Sequence, residues 1–297
     1  MGTEDISPRY ADLDLWNDTE ALAALFEGQL AAVASVGAAL PAIAAAVEQA
    51  VPRLRASGRL VYAGAGTSGR IAVQDGAELA PTFNWPRERV AFAMAGGEAA
   101  LLRAIEGAED EGASGAARIA EIGVGGDDVV IGLAASGETA FTVAALDAAR
   151  AAGALTIGIA NTPGARLLSV CDHPILLDTG PEPIAGSTRL KAGTAQKVVL
   201  NLLSTLIMVR LGRVYGGLMV HMRPTNEKLR RRAERMVMRI GACDEHAARA
   251  ALAQAEGDVK LAVLIAGAVE IEVARALLEK HDGNLRSALR EAAQGAG

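Results

Sequence analysis

Residues 59–66 read RLVYAGAG, a short apolar run that ends in small residues. Similar runs recur along the chain, each followed by a segment of helical composition, and they read VAFAMAG, DVVIGLAAS, LTIGIAN and HPILLDTG. Strands that alternate with helices pair in parallel, and strands that are apolar throughout are covered on both faces of their sheet. The pattern predicts an α/β fold with a doubly wound parallel sheet, which we assign to residues 57–220.

The segment before this domain, residues 1–56, has apolar residues at helical spacing and is predicted to be helical and to pack on the core. Its longest uncharged run, LAAVASVGAALPAIAAAV, occupies residues 30–47. Because alanine is only weakly apolar, this run is a poor membrane span. Since proline ends or kinks a helix, we expect a pair of buried helices that is broken near Pro41.

The segment after the domain, residues 221–297, has no strand-like run beyond about residue 240 and is predicted to form a small helical bundle. It contains a weak repeat, in which ARAAL leads to GDVKLAV and ARALL leads to GNLRSAL. Both parts are offset by the same 26 residues, from 248 to 274 and from 257 to 283. Each copy of the repeat predicts a helix, a glycine turn and a second helix. The N-cap of the second helix is Asp258 in the first copy and Asn284 in the second.

The composition excludes several classes of protein. The chain of 297 residues is 51% hydrophobic, which excludes disorder, and its formal net charge of -6 argues against a nucleic-acid-binding surface. Two cysteines are too few for a disulfide framework, and four scattered histidines lack metal-ligand spacing. The start is acidic, at Glu4 and Asp5, where a signal peptide needs a basic flank and an apolar stretch. We therefore expect a soluble, cytoplasmic protein that binds neither a membrane nor a metal or other cofactor.

The first predicted strand ends in a glycine-rich turn, GAGTSGR at residues 64–70. A turn that opens a helix points backbone N–H groups at an anion, and the helix dipole favours the anion as well. The glycine spacing also matches a dinucleotide-binding loop, but the acidic residue expected about 20 residues later is missing. The hydroxyl groups suit a phosphate monoester, so Gly66, Thr67 and Ser68 are candidate phosphate-binding residues; a plain tight turn is the alternative.

A second hydroxyl-bearing turn, ASGET at residues 135–139, follows the third predicted strand. Ser136 and Thr139, with Gly137 between them, can point to one anion, although Ser136 alone could instead cap the helix. Both turns fall at the carboxyl ends of strands, where ligands bind in open α/β sheets. Two such turns in one sheet predict a phosphorylated small molecule as the ligand.

The two turns resemble the phosphosugar-binding loops of the sugar isomerase (SIS) domain. Four further motifs are EGAED at residues 106–110, KAGTAQK at 191–197, NLLST at 201–205 and TNEKL at 225–229. Together with the two turns, they make the chain similar to the N-acetylmuramic acid 6-phosphate etherase family. The resemblance covers nearly the whole chain, from Thr3 and Glu4 to the helical tail. It implies a SIS fold and a lyase that cleaves the lactyl ether of N-acetylmuramic acid 6-phosphate, giving N-acetylglucosamine 6-phosphate and D-lactate in peptidoglycan recycling.

The resemblance also implies catalytic residues and an assembly. The family's two catalytic glutamates fall on Glu78, in the motif DGAE, and on Glu109, in EGAED. An ether β to an aldehyde leaves by elimination once the C2 proton is removed, and two carboxyl groups with separated pKa values can serve as acid and base. We assign Glu78 as the general acid and Glu109 as the general base. Members of the family work as homodimers without a metal, so we expect a homodimer here.

Three further residues are expected to hold the substrate. The segment GSTRLKAGTAQK, residues 186–197, combines basic and small residues before an apolar helix and is a candidate anion site. Ser187 is a candidate substrate-binding residue, and Lys191 could hold the lactyl carboxylate or the phosphate; an ordinary surface loop is the alternative. Asn226 is a candidate for closing the site. The family usually has Arg-Thr-Pro-Tyr after ASG, whereas this chain has ETAF at residues 138–141, which leaves the fine substrate specificity open.

Two other functions share part of this pattern. An aldose–ketose isomerase acting on another sugar phosphate would use the same phosphate loops and a base, but it needs no acid directed at a C3 ether. A non-catalytic phosphosugar-sensing regulator would need the loops alone. A DNA-binding regulator should carry a basic N-terminal domain, whereas residues 1–56 are rich in alanine and acidic at the front. The presence of both glutamates favours an enzyme.

Overall fold

The computed structural model describes residues 2–224 and 226–295, so Thr225 of the TNEKL motif lies outside the described residues. The chain divides into two compact units, one made of Met1–Ala77 with Pro86–Ser204 and the other of Glu78–Trp85 with Thr205–Gly297. This division differs from the domain boundaries expected after residues 56 and 220, which remain a prediction.

The first unit contains the long helix α1, Asp18–Ala56, which Asn17 caps by accepting a hydrogen bond from Glu20 N at 3.0 Å. The predicted break near Pro41 is wrong, because α1 continues through both Pro41 and Pro52. A proline removes one helical hydrogen bond, but the buried face continues on both sides of Pro41 at three- and four-residue spacing and compensates for that loss. The buried residues of α1 are Ala24, Gly28, Ala32, Val36, Ala39, Ile43, Ala46, Val47, Ala50, Val51 and Leu54.

Five parallel strands form one sheet in the first unit. They are β1 (Leu60–Gly64), β2 (Val90–Met94), β3 (Val129–Ala134), β4 (Leu155–Ala160) and β5 (His173–Leu176). Their order is β2-β1-β3-β4-β5, so the direction in which strands are added reverses between β1 and β3. This order confirms the doubly wound α/β fold, and such a reversal leaves a ligand-binding crevice at the carboxyl ends of the strands.

Further helices accompany this sheet. They are α2 (Gly66–Phe83), α3 (Gly112–Ile122), α4 (Ala140–Ala151), α5 (Arg166–Ser169) and α6 (Lys191–Arg210), with short 3₁₀ helices at Pro8–Tyr10, Leu13–Leu15, Arg87–Arg89 and Glu98–Leu101. Val61 and Tyr62 point to opposite faces of β1 and both are buried, so both faces of the sheet are covered. One face packs on α3 and α4 through Ile119 and Phe141.

The second unit is built mainly from helices, which agrees with the helical C-terminal region expected from the sequence. They are α7 (Glu227–Gly241), α8 (Glu245–Gln254), α9 (Val259–Ala266), α10 (Ile271–Lys280) and α11 (Leu285–Gly295). Both predicted caps are confirmed, since Asp258 accepts a hydrogen bond from Leu261 N at 3.0 Å and Asn284 accepts one from Ser287 N at 3.1 Å. Apolar residues from all five helices form the core of this unit.

Two helices, α1 and α6, are long and apolar enough to cross a membrane by length and composition alone. In α6, 56% of the most apolar 18-residue window is buried inside the protein, and in α1 the share is 33%. Core helices of globular proteins pass the same test, so these two matches are weak evidence for a membrane span.

A buried carboxylate ties α2 to α6 and to β1. Asp75 is 6% exposed and accepts a hydrogen bond from the Tyr62 hydroxyl at 2.9 Å. It also accepts hydrogen bonds from the side-chain amide of Asn201 at 3.0 Å and from the hydroxyl of Ser204 at 3.2 Å. Burial raises the pKa of Asp75, and the hydrogen bonds oppose that rise. Because the three donors converge on one carboxylate, they fix how α2 is rotated about its axis.

We expect Asp75→Ala to lower the free energy of unfolding by roughly 2–4 kcal/mol, because the buried hydroxyl groups of Tyr62 and Ser204 lose their acceptor. Unfolding in denaturant, followed by circular dichroism, measures this loss. Asp75→Asn is the matched control, since its amide oxygen still accepts a hydrogen bond and the loss should be smaller. A loss below about 0.5 kcal/mol for Asp75→Ala would show that the cluster does not stabilise the fold.

Candidate active site

A pocket of about 470 Å³ lies at the carboxyl ends of β1 and β3, on either side of the reversal in strand order. Its walls come from the turn after β1, the turn after β3, the loop that carries Glu109 and the segment that precedes α6. Glu4, near the N-terminus, also lines it. Because ligands of doubly wound sheets bind in this crevice, the pocket is the candidate active site.

The turn after β1 brings Gly66, Thr67 and Ser68 to the pocket. Gly66, at the start of α2, has a φ of 52°, in the left-handed region that favours glycine. A Cβ at Gly69 would lie 2.3 Å from the sulfur of Met94, so this helix start packs closely on the end of β2. The first N–H groups of a helix have no partner within the helix, and here they lie beside two hydroxyl side chains.

The turn after β3 brings Ser136 and Thr139 to the same pocket. Ser136 Oγ accepts a hydrogen bond from Glu138 N at 3.2 Å, which closes the turn. Thr139 occupies the N-cap position of α4 but makes no side-chain cap hydrogen bond. Gly137 has a φ of 72°, and a Cβ there would lie 2.3 Å from Cβ of Ala165, so Gly137 shapes the turn and is not part of the pocket wall.

Glu138 stands where the sequence departs from the family pattern, and the structure shows a partner for its carboxylate. Oε1 of Glu138 accepts a hydrogen bond from the backbone N–H of Arg166, the first residue of α5, at 2.8 Å. Glu138 also lines the pocket. The acidic residue at this position therefore anchors the start of α5 beside the second hydroxyl turn.

Gly186 and Thr188 line the pocket from the segment before α6. Glu182 holds the adjoining helix start, because its buried carboxylate accepts hydrogen bonds from Lys191 N at 2.8 Å and from Ala192 N at 2.9 Å. Burial raises the pKa of Glu182. The first N–H groups of this helix are thus held by the protein's own carboxylate, and the anion site expected at the helix start stays a prediction.

Lys191 and Ser187 lie outside the pocket wall. Lys191 is 8% exposed, and its Nζ donates a hydrogen bond to the carbonyl oxygen of Pro181 at 3.0 Å. Burial lowers the pKa of Lys191. Ser187 is half-buried, while its neighbours Gly186 and Thr188 reach the pocket. A substrate-binding role for Lys191 and Ser187 therefore stays a prediction.

Glu109 and Asp110 form an acidic wall of the pocket. Phe141 N donates a hydrogen bond to the carbonyl oxygen of Glu109 at 3.0 Å, which ties this loop to α4. Among the residues that the structure describes, the pocket wall contains no lysine, arginine or histidine, and no cluster of His, Cys, Asp and Glu is arranged to hold a metal ion. The site thus offers hydroxyl and N–H donors for an anion next to a carboxylate that can act as a base.

Comparison with known proteins agrees with this geometry. Residues 123–206 match the SIS domain, and residues 42–150 match the glucokinase regulatory protein N-terminal SIS domain. The chain is 52% identical to the N-acetylmuramic acid 6-phosphate etherase of Deinococcus radiodurans, over 97% of this chain and 95% of that relative. It is 48% identical to the etherase of the same name from Streptomyces avermitilis, over 98% and 94% of the two chains.

This chain belongs to the N-acetylmuramic acid 6-phosphate etherase family. Its fold is that of the SIS domain. Among solved structures, that of a phosphoheptose isomerase from Francisella tularensis is 18% identical and has a TM-score of 0.47, over 65% of this chain and 100% of that one.

Two residues that the etherase resemblance implies for the site belong to the second unit. Glu78 is exposed and lies on α2, three residues after Asp75. Asn226 caps α7, and its Oδ1 accepts a hydrogen bond from Leu229 N at 2.9 Å. The pocket of the first unit therefore contains Glu109 alone of the two predicted catalytic glutamates, and the roles of Glu78 and Asn226 remain predictions.

Besides Glu138 and several alanine and glycine residues, sequence reasoning missed three polar residues that line the pocket: Glu4, Asp110 and Thr188. Asp110 and Thr188 are direct neighbours of predicted residues, Asp110 inside the EGAED motif and Thr188 inside the segment GSTRLKAGTAQK. Glu4 belongs to the Thr3-Glu4 pair at the start of that resemblance. No local pattern indicates that this N-terminal segment reaches the carboxyl edge of the sheet.

Proposed function

We propose that this protein is a carbon–oxygen lyase that cleaves the D-lactyl ether of N-acetylmuramic acid 6-phosphate, giving N-acetylglucosamine 6-phosphate and D-lactate. The observation that carries the proposal is that Glu109 shares one pocket with two hydroxyl-bearing turns, in a chain of the etherase family. The reaction places the protein in the recycling of peptidoglycan and amino sugars.

The phosphate of the substrate is assigned to the two turns. Its oxygens accept hydrogen bonds, and the turns offer donors from Thr67, Ser68, Ser136 and Thr139 together with the backbone at the start of α2. Since no cationic side chain appears among the described residues of the wall, neutral donors supply the binding of the anion. Binding should therefore depend on these hydroxyl groups more than on ion pairs.

The ether bond breaks by elimination from the open-chain sugar. Glu109 takes the proton from C2, which is acidic because it lies next to the C1 aldehyde, and the electron pair forms a C2–C3 double bond as the C3–O bond breaks. Glu78 gives a proton to the departing ether oxygen, which becomes the hydroxyl of D-lactate. Water then adds at C3 and a proton returns to C2, so the net reaction consumes one water molecule.

The direct test is to incubate the protein with N-acetylmuramic acid 6-phosphate and to assay D-lactate. We expect one D-lactate for each N-acetylglucosamine 6-phosphate formed. An aldose–ketose isomerase would change the sugar without releasing lactate, and a phosphosugar-sensing regulator would bind it unchanged. Absence of lactate at high protein concentration would therefore contradict the proposed function.

We infer that the protein is a homodimer and that α1 forms its contact. Leu22, Phe26, Leu30, Val33 and Leu40 are between 47% and 65% exposed, and their three-, four- and seven-residue spacing places them on one face of this helix. A contiguous exposed apolar patch marks an interface, and a twofold pairing of identical patches is the commonest form of protein oligomer. A second copy of α1 supplies the matching apolar face.

We expect the double variant Phe26→Lys with Leu30→Lys to be a monomer, because two charges would have to be desolvated in the contact. Light scattering coupled to size-exclusion chromatography measures the mass, which should fall from that of two chains to that of one. Val273→Lys is the matched control, since Val273 is 51% exposed on α10, and it should stay dimeric. A wild-type monomer, or a dimeric double variant, would overturn this inference.

We also propose a cytoplasmic location. The structure has two cysteines, Cys171 and Cys243, and neither forms a disulfide. Free thiols of this kind suit a reducing compartment. Fractionation of cells that express the protein, followed by immunodetection, should recover it with the cytoplasmic enzymes and not with the membranes.

A further inference from the structure

The N-terminal residues Gly2 to Asp5 form a compact turn. Asp5 N donates a hydrogen bond to the carbonyl oxygen of Gly2 at 3.3 Å, and Gly2 N donates one to the carboxylate of Asp5 at 2.7 Å. Thr3, inside the turn, is only 1% exposed. The turn is thus closed by its own hydrogen bonds and anchored by a buried residue, which fixes the backbone at Glu4.

Two contacts place this turn at the carboxyl edge of the sheet. Gly186 N, in the segment before α6, donates a hydrogen bond to the carbonyl oxygen of Thr3 at 3.4 Å. A Cβ at Gly2 would lie 3.2 Å from the methyl group of Thr162, which follows β4. The turn therefore packs against the segment before α6, which lines the candidate active site, and against the loop that follows β4.

Glu4 lines the same pocket as Glu109 and the two hydroxyl turns, and the position of its carboxylate is given by Gly186. It lies so close to Gly186 that a Cβ at that position would be 2.9 Å from Oε2 of Glu4. Gly186 has a φ of 74°, in the left-handed region that favours glycine. The charge of Glu4 further adds to the rise in the pKa of Glu182, which burial mainly causes.

We propose that Glu4 is a specificity-determining residue that binds the sugar part of the substrate, with its carboxylate accepting hydrogen bonds from sugar hydroxyl groups or from the acetamido N–H. A carboxylate only accepts hydrogen bonds, and so do the oxygens of a phosphate dianion, so the two repel each other. Glu4 therefore matches the hydrogen-bond donors of the sugar and not its phosphate. This inference rests on the proposed function in so far as the ligand is a sugar phosphate.

The test compares two ligands that share a phosphate group. The variants Glu4→Ala and Glu4→Gln are titrated calorimetrically with N-acetylglucosamine 6-phosphate and with inorganic phosphate. For Glu4→Ala, we expect the Kd of the sugar phosphate to rise about 10- to 100-fold, because the variant loses hydrogen bonds to a charged group. The Kd of inorganic phosphate should stay the same or fall. Glu4→Gln keeps one acceptor oxygen and should lie between Glu4→Ala and the wild type.

Asp14→Asn is the matched control, because Asp14 is an exposed acid of the same N-terminal region that lies outside the pocket wall. It should bind both ligands as the wild type does. Unchanged sugar-phosphate binding in Glu4→Ala would overturn the proposal, and so would an equal loss of both ligands, which would show that Glu4 only shapes the pocket. Because the readout is binding, a wild-type protein that releases no lactate would contradict the proposed function without deciding the role of Glu4.

Discussion

Replacing Glu109 with glutamine is expected to slow D-lactate release by about 100- to 10,000-fold, the range that a positioned general base contributes. Glutamine has nearly the shape of glutamate, but its amide cannot take the C2 proton. The backbone of Glu109 is held by the hydrogen bond from Phe141 N, which the substitution leaves in place. Binding of N-acetylglucosamine 6-phosphate, measured by calorimetry, should therefore persist while turnover is lost.

Two neighbouring variants make this result specific. Glu111→Gln is the matched control, because Glu111 is exposed and makes no side-chain cap hydrogen bond at the start of α3, and it should turn over like the wild type. Asp110→Asn tests the neighbouring acid, which also lines the pocket. If Asp110→Asn abolishes turnover while Glu109→Gln does not, the assignment of Glu109 as the base is wrong.

Replacing Glu78 with glutamine is expected to reduce lactate release by a similar factor, about 100- to 10,000-fold, but for a different reason. The variant lacks the acid for the leaving oxygen and still has the base for the C2 proton. In deuterium oxide, the unreacted substrate should therefore gain deuterium at C2 although little lactate appears. Mass spectrometry of the recovered substrate measures this exchange, which Glu109→Gln should lack.

Glu88→Gln serves as the control for Glu78, since Glu88 is an exposed glutamate in the short 3₁₀ helix Arg87–Arg89. It should leave both lactate release and exchange as in the wild type. Unaltered lactate release in Glu78→Gln would mean that another group is the acid. Loss of exchange together with loss of lactate would mean that Glu78 is needed before the C–O bond breaks.

Features that depend on short stretches of sequence could be predicted well. The apolar runs identify the strands because a sheet that is covered on both faces needs unbroken apolar strands, as Val61 and Tyr62 show. The caps Asp258 and Asn284 follow from residues three apart in the chain. The helix break expected at Pro41 was wrong because the sequence shows only the local cost of proline, the loss of a helical hydrogen bond. The buried face of α1 that compensates for this loss depends on the rest of the fold.

In the candidate site, too, local features could be predicted from the sequence and contacts between distant parts of the chain could not. The two hydroxyl turns could be placed together because the carboxyl ends of parallel strands meet at one edge. The sequence shows Lys191 before an apolar helix, but it does not show that the buried Glu182 accepts the first N–H groups of that helix. Glu4 was missed for a similar reason, since its approach to Gly186 is a contact between distant parts of the chain.

Elimination at C2 and C3 of the lactyl ether is tested most directly by one reaction in deuterium oxide. The wild-type protein is incubated with N-acetylmuramic acid 6-phosphate, and the sugar product and lactate are analysed by mass spectrometry and NMR. We expect one deuterium at C2 of each N-acetylglucosamine 6-phosphate and one D-lactate for each sugar. Lactate formed with the C2 proton retained would contradict elimination, and deuterium at C2 without any lactate would contradict ether cleavage.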